Sequence, residues 1–133
     1  MAKTFQLAVV APDRSVMDEP VQSVMAPGAA GYFGVLGGHE PTIFALRAGL
    51  VEFMDTNNQR HFIAVSGGFA EVTPERVTIL ADAAERASDI DIARAERALE
   101  EARKSLRGEG TVSREEATQE MERAMARIKA ARH

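Results

Sequence analysis

The first 87 residues carry short runs in which apolar and polar positions alternate. Phe5, Leu7 and Val9 are separated by small or polar residues, and Pro12 then favours a turn. Further runs rich in β-forming residues follow at close spacing, separated by turn clusters at 55–59, 66–68 and 73–75: Val21–Met25, Ile43–Leu46, Leu50–Met54, Phe62–Val65, Phe69–Thr73 and Val77–Leu80. This pattern predicts an all-β N-terminal domain over residues 1–87, an antiparallel sandwich or barrel.

Residues 88–133 change to helical periodicity. Ser88 is the predicted N-cap of a first helix, with Asp89 and Asp91 in the first turn, where the helix dipole favours anions. The apolar stripe of this helix recurs at intervals of three and four residues: Ile92, Ala95, Leu99, Ala102 and Leu106.

A second helix is predicted after the glycine-containing break at 107–111. Ser113 and Glu116 have the spacing of a capping box at its start. Its stripe again has intervals of four and three: Ala117, Met121, Ala124, Ile128 and Ala131. Both stripes are narrow and rich in alanine, which suits one partner helix at close range. The two helices are therefore expected to form an antiparallel hairpin.

Such narrow stripes leave little apolar surface for a hold on the β-domain. One interpretation is a detachable arm that is among the least stable parts of the molecule. The other is a rigid hairpin that is packed permanently on the sandwich. Periodicity alone leaves both open.

Composition excludes several classes of protein. The chain has 133 residues, a formal net charge of -4 and no cysteine, so thiolate metal sites, disulfides and thiol nucleophiles are absent. The whole excess of acid lies in residues 1–87, with six basic and ten acidic groups, while residues 88–133 carry ten of each. No strong positive charge indicates nucleic acid as a partner. No apolar run suggests a signal peptide or a membrane span.

No catalytic arrangement stands out. The histidines are His39, His61 and His133, and their spacing is not that of metal ligands. The glycine-rich segments match neither a phosphate-binding loop nor a dinucleotide fingerprint. Ser66 lacks the strand-to-helix context of a nucleophile elbow. We therefore expect a protein that is not an enzyme, with no metal and no required cofactor.

Three segments stand out as motifs: residues 31–41 (GYFGVLGGHEP), 62–72 (FIAVSGGFAEV) and 77–85 (VTILADAAE). The first is similar to the first signature of the epsilon subunits of bacterial F-type ATP synthases, and the second is similar to the second signature of that family, which the third continues. Gly37 stands where proline is usual, which should loosen that loop. The three segments follow in order, and the expected hairpin lies where the family has one.

The resemblance implies a place in the rotor of the ATP synthase. The β-sandwich would bind the gamma subunit and the c ring, so the chain would meet the membrane only indirectly, at the cytoplasmic face of the bacterial plasma membrane. The loop starting at Gly31 would face these partners through five residues: Gly31, Tyr32, Phe33, Gly38 and His39. Exposed aromatic rings often mark an interface. The alternative is that both rings simply close one end of the sandwich.

The resemblance also implies that the hairpin is regulatory. In the family it either lies folded on the sandwich or extends along gamma into the catalytic head and blocks ATP hydrolysis. The charged residues of the last turns are all basic: Arg123, Arg127, Lys129 and Arg132. Acidic segments of the catalytic subunits could bind them. Cations at a helix C-terminus are also favoured by its dipole, which is an ordinary explanation for part of this bias.

A further motif resembles that of epsilon subunits that bind ATP in the folded state. Ile90, Asp91, Arg94 and Ala95 match I/L-D-x-x-R-A, and the last three lie on one helix face. By the same resemblance Glu85, Arg123 and Arg127 would complete a regulatory ATP site, the two arginines presenting guanidinium groups to the phosphates. Glu101 replaces an expected arginine and would repel phosphate. Alternatively, Asp91 merely serves the first helical turn and Arg94 pairs with nearby acids.

An alternative from a different class of protein remains open, in which the chain is a free-standing ligand-binding β-sandwich with a helical dimerisation tail. This alternative predicts a homodimer whose hairpins pair between chains. The rotor-subunit hypothesis predicts instead a monomer that binds gamma.

Overall fold

A computed structural model describes residues 3–36, 40–110 and 112–132. Seven strands are followed by a short 3₁₀ turn at Ala87–Asp89 and two helices. The strands are β1 (Phe5–Ala11), β2 (Arg14–Gly28), β3 (Gly31–Leu36), β4 (Thr42–Ala45), β5 (Gly49–Asp55), β6 (Arg60–Val72) and β7 (Arg76–Arg86), and the helices are α1 (Ile92–Leu106) and α2 (Arg114–Ala131). The predicted fold class, an all-β body followed by a helical hairpin, is confirmed.

The strands form one continuous sheet in the order β1-β7-β6-β5-β2-β3, and a pairing of β1 with β2 closes it into a barrel-like sandwich. The pairings are antiparallel, apart from the parallel pair of β1 and β7. β4 pairs with β6 beyond the end of β5. The main core therefore lies inside this closed sheet.

β6 is a single bent strand. The two runs Phe62–Val65 and Phe69–Thr73 were expected to be separate strands joined by a turn, and this expectation is wrong. Gly67 and Gly68 have positive φ angles of 62° and 104° and bend the strand without breaking its pairing with β7. A Cβ at Gly68 would overlap the carbonyl oxygen of Leu80, so this position requires glycine.

The bend lets β6 serve both sides of the sandwich. Its first half pairs with β5 and its second half with β4. The inward residues Val65 and Ala70 are five positions apart, so the glycine pair also reverses which residues of the strand face the core.

The segment that was expected to be a loop from Gly31 is strand β3 as far as Leu36. It pairs with β2 through a tight turn at Ala29 and Ala30, and Phe33 lies opposite Ala26. Glycines at 31 and 34 concealed this strand in the sequence, because glycine has a low β propensity. Gly37, Gly38 and His39 lie outside the described residues.

The main core is formed by the sandwich alone. Its fully buried side chains include Leu7, Phe53, Ile63 and Ile79. Burial of each such side chain is worth about 1.5–3 kcal/mol. Among the described residues, no side chain of either helix belongs to this cluster.

The helices have one cap that was predicted and one that was not. The Ser113 hydroxyl accepts a hydrogen bond from the Glu116 backbone N–H at 3.1 Å, as the capping box predicted. α1 is capped by Asp91, whose carboxylate accepts from the Arg94 N–H at 3.1 Å. The expectation that Ser88 is the cap is wrong, because Ser88 lies in the 3₁₀ turn and extended backbone at Ile90 separates that turn from α1.

The hairpin packs along an alanine seam. Ala95 and Ala102 of α1 and Ala117 and Ala124 of α2 are almost fully buried, as the stripes predicted. α2 also has a second buried face that the sequence did not reveal. Its residues form a small cluster with two strands, which we call the docking cluster: Leu50, Ala64, Ala126 and Ala130, with Phe62, Ala87 and Ile90 at its edge. Alanine is small enough to let α2 lie close to the sheet.

Candidate functional site: the junction of sandwich and hairpin

Three of the residues predicted for ATP meet at one cavity of about 290 Å³ between β7 and α2. Glu85, Arg123 and Arg127 all line it, and the Arg127 Nε atom lies 3.3 Å from the Glu85 Oε1 atom. We call this space the arginine cavity. A guanidinium pair on consecutive turns of α2 is suited to a polyanion.

The other four predicted residues do not line this cavity. The Asp91 carboxylate caps α1, and Arg94 is exposed. Ile90 packs against the docking cluster, and Ala95 is 1% exposed in the seam between the helices. Ile90, Asp91 and Ala95 thus make structural contacts near the start of α1, where the Arg94 side chain is exposed, and all four residues lie apart from the three cavity residues.

Glu101, which stands where an arginine was expected, is a solvent-facing residue of α1. Its Oε1 atom lies 3.6 Å from Lys104 Nζ, one turn further along the helix. Glu101 does not line the arginine cavity. Its charge acts there only from a distance, weakened by solvent.

The arginine cavity also contains residues that the sequence did not indicate. Arg14 lines it and donates a hydrogen bond to the Ala84 carbonyl at 3.2 Å, and Asp13 and Asp82 add acidic groups. The Ser66 hydroxyl is buried at its edge and has no hydrogen-bond partner among the described residues. Arg14 and Ala84 are 70 residues apart, so only the pairing of the strands brings them together.

Of the predicted partner interface, Tyr32 is a surface residue and Phe33 is part of the fold. Tyr32 is 46% exposed, although its hydroxyl accepts from the Leu50 N–H at 3.1 Å. Phe33 stacks on Phe44 with ring centroids 4.0 Å apart and packs against the main core. Gly31 is exposed, and Gly38 and His39 lie outside the described residues.

A stronger interface signal lies on the outer face of β4, β6 and β7. Ile43, Phe69 and Leu80 are 68%, 57% and 52% exposed. Phe69 is opposite Ala45 on one side and Leu80 on the other, and Ile43 lies two residues from Ala45 along β4, so the three apolar side chains adjoin one another on one face of the sheet. We call them the outer apolar row. Large exposed apolar side chains that adjoin one another usually mark a binding surface.

The described residues offer no group of three or more histidine, aspartate or glutamate side chains that could hold a metal ion. Over the same residues, neither helix combines the length and the hydropathy needed to cross a bilayer.

The fold defines a class of protein in which a β-sandwich domain is followed by a helical hairpin. Residues 4–87 match the family model of the ATP synthase Delta/Epsilon chain beta-sandwich domain, and residues 88–132 match that of the long alpha-helix domain. The chain belongs to this family of ATP synthase subunits. The resemblance seen in the sequence is confirmed.

Bacterial relatives agree with this assignment. An ATP synthase epsilon chain of Desulfosudis oleivorans is 47% identical over 106 residues, which is 80% of each chain. One of Nitratidesulfovibrio vulgaris is 43% identical over 130 residues, 97% of this chain and 96% of the other.

Among solved structures, a chain of the Euglena gracilis mitochondrial ATP synthase, determined by cryo-EM together with its c-ring, is similar over nearly the whole chain. The TM-score is 0.82 and the identity 29%, covering 98% of this chain and 82% of that one. The protein is thus an epsilon-type subunit of an ATP synthase, not the catalytic subunit.

Proposed function

We propose that this chain is a non-catalytic rotor subunit that binds gamma and the c ring and restrains ATP hydrolysis through a movable hairpin. The named relatives and the complex that contains the Euglena chain support a place in the central stalk. On this proposal the subunit reaches the cytoplasmic face of the bacterial membrane only through the assembled enzyme.

The outer apolar row is the proposed contact with gamma. It is the side of the sandwich that the hairpin leaves open, because α2 covers β5 and the first half of β6. The end of the sandwich at Gly31 and Tyr32 is the proposed contact with the c ring, together with Gly38 and His39.

The gamma contact can be tested with a single charge. Phe69→Asp should weaken binding to purified gamma by tenfold or more, because burial of a phenylalanine is worth about 1.5–3 kcal/mol. The matched control is Met25→Asp, at an exposed apolar residue of β2. Calorimetry should show normal affinity for the control, and equal losses in both variants would contradict this contact.

The separation of the two apolar clusters is the observation that carries the proposal of a movable hairpin. α2 contacts the sandwich through the docking cluster, which is made largely of alanines, while the main core is complete without it. Separation of the hairpin would therefore expose little apolar area and leave the sandwich folded.

The released hairpin would carry a basic end. Arg123, Arg127, Lys129 and Arg132 present their charges with no intervening acid. Only Arg127 and Arg132 form ion pairs within the described part of the chain, with Glu85 and Glu96. Such an end suits acidic segments of the catalytic head, where the extended hairpin would block ATP hydrolysis.

ATP is the proposed regulatory ligand of the folded state. Its phosphates would take the place of the Glu85 carboxylate beside Arg127 and would also meet Arg123. A ligand bound by the folded state alone shifts the population towards it, by tenfold for about 1.4 kcal/mol of differential binding. Asp91 and Arg94 would reach the base only after a rearrangement at the start of α1.

Titration of the isolated chain with ATP tests this ligand. Arg123→Gln should weaken binding at least tenfold, because a charge-assisted hydrogen bond to phosphate is lost. Arg114→Gln, on the same helix but away from the cavity, should bind normally. An absence of binding heat at millimolar ATP would remove the sensor role and leave the gamma contact untouched.

A further inference from the structure

A second cavity, larger than the arginine cavity, lies on the other side of α2. It has a volume of about 730 Å³ and shares no lining residue with the arginine cavity. The sandwich contributes Tyr32 and residues 47–50, and the two helices contribute the rest. We call it the Met125 cleft. Its size lies within the range of about 300–1,000 Å³ that is usual for small-molecule sites.

The wall of the cleft is partly apolar. Leu50, Leu99 and Ile128 line it, and the Met125 side chain, which is 50% exposed, lies at its edge. Methionine is flexible and adapts to ligands of different shape. An apolar body placed here would cover surface that is now in contact with water.

The charges around the cleft are strongly one-sided. Arg47, Arg103, Lys129 and Arg132 line it with the single acid Glu122, although the chain as a whole is acidic. Arg132 bonds Glu96 at 2.8 Å, and the Arg47 guanidinium lies over the Tyr32 ring at 5.9 Å. Arg103 and Lys129 form no ion pair with any residue that the structure describes.

We propose that the Met125 cleft binds an organic phosphate with an apolar or aromatic body. The two unpaired cations match a dianionic head better than a single charge, and the apolar wall takes the body. This site is separate from the ATP site proposed above and does not rest on the chain's place in an ATP synthase.

Binding at this site would be linked to the position of the hairpin. The sandwich and both helices all contribute to the cleft, so it exists only while the hairpin is docked. A ligand that binds the docked form alone favours that form, by an amount that grows with its concentration.

Methionine methyl NMR gives a direct test, with 1-naphthyl phosphate as the probe. The Met125 methyl signal should shift on titration, while that of Met25, exposed on β2, should not. Inorganic phosphate and neutral 1-naphthol should each bind at least tenfold more weakly, because each lacks half of the recognised chemistry. Dodecyl phosphate serves as a lipid-like comparison. If either organic phosphate binds more tightly than inorganic phosphate and 1-naphthol, the site is supported. The tighter of the two organic phosphates shows whether an aromatic or an alkyl group is preferred.

Charge variants locate the head group. Lys129→Gln and Arg103→Gln should each weaken binding of the probe about tenfold, because each removes one charge-assisted hydrogen bond. Arg97→Gln, at an exposed residue of α1 outside the cleft, is the matched control. Unchanged affinity in both cleft variants, equal shifts at Met25 and Met125, or a loss in Arg123→Gln alone would overturn the proposal.

Discussion

Arg127 of α2 lies 3.3 Å from Glu85 of β7, and this ion pair ties the hairpin to the sandwich beside the docking cluster. Both side chains are about one-third exposed, so solvent screens the pair. The pair therefore adds specificity to the docked position and only a small free energy. It also occupies the arginine that an incoming phosphate would need.

Removal of this pair should loosen the hairpin slightly. Glu85→Gln should raise the hydrogen exchange of α2 amides by the equivalent of about 0.2–1 kcal/mol and leave β-core amides unchanged. Arg127→Gln should have a similar effect, and the double variant should cost less than the sum of the two. Strict additivity in this cycle would show that the two groups do not interact.

A charge in the docking cluster should release the hairpin altogether. Ala126→Asp would bury an unpaired carboxylate against Leu50 and Ala64, and undocking avoids that cost. Hydrogen exchange in α2 should then approach that of an isolated hairpin, while the melting temperature of the sandwich changes by less than about 2 °C. Ala93→Asp, at an exposed position of α1, is the control. A parallel loss of β-sheet structure would mean that the hairpin belongs to one cooperative core.

The bend in β6 should depend on Gly68. Gly68→Ala places a Cβ against the Leu80 carbonyl at a φ of 104°, so we expect the sandwich to lose at least about 2 kcal/mol of unfolding free energy. Gly34→Ala is the control, since the nearest atom to its Cβ would be 3.7 Å away, and it should change stability by about 0.5 kcal/mol or less. Urea denaturation measures both, and equal stability of the two variants would contradict the role of the bend.

The free energy of unfolding should fall at low pH because the Asp55 carboxylate becomes protonated. The Gln59 backbone N–H, the His61 ring at 2.7 Å and the Asn57 N–H hold the pKa of this carboxyl below its ordinary value of 3.8. Because the pKa of Asp55 is lower in the folded state than in the unfolded state, the ionised carboxylate stabilises the fold at pH values above 3.8. This stabilisation is lost as the pH falls through the folded-state pKa.

Urea denaturation at a series of pH values between pH 7 and pH 3 measures how stability depends on the Asp55 carboxyl. Asp55→Asn should flatten the acid limb of the stability profile, and His61→Gln, which leaves both backbone donors, should flatten it in part. An acid limb that is unchanged in Asp55→Asn would show that other carboxyls govern it.

The sequence was informative where periodicity is strong. Alternation in β1, the β-rich runs between turn clusters and the alanine stripes of the helices predicted the sandwich and the hairpin. It failed where glycine hides a strand, as in β3 and at Gly67–Gly68, because glycine signals a turn and a bend equally well. The second face of α2 was missed because Ala126 and Ala130 do not lie on its main apolar stripe.

The junction sites depended on contacts that no local pattern encodes. Glu85, Arg123 and Arg127 were found through resemblance, and the structure brings them together. Arg14 and Ser66 join the same cavity through strand pairing over long sequence separations, and the Met125 cleft is formed by the sandwich together with both helices. Asp91 caps α1, as its place in the first helical turn indicated, and its assignment to a ligand by the motif stays a prediction.

The central claim is that the hairpin must leave the sandwich to restrain ATP hydrolysis. Because the chain has no cysteine, Ala48→Cys and Gln119→Cys introduce a unique pair that lines one cavity of about 270 Å³ between the sandwich and α2. A short, cleavable bis-maleimide should join them and hold the hairpin docked, with each single-cysteine variant as a control. In the assembled ATP synthase we predict that crosslinking raises ATP hydrolysis and that cleavage of the linker restores the original rate. Hydrolysis that stays unchanged or falls on crosslinking would contradict the claim.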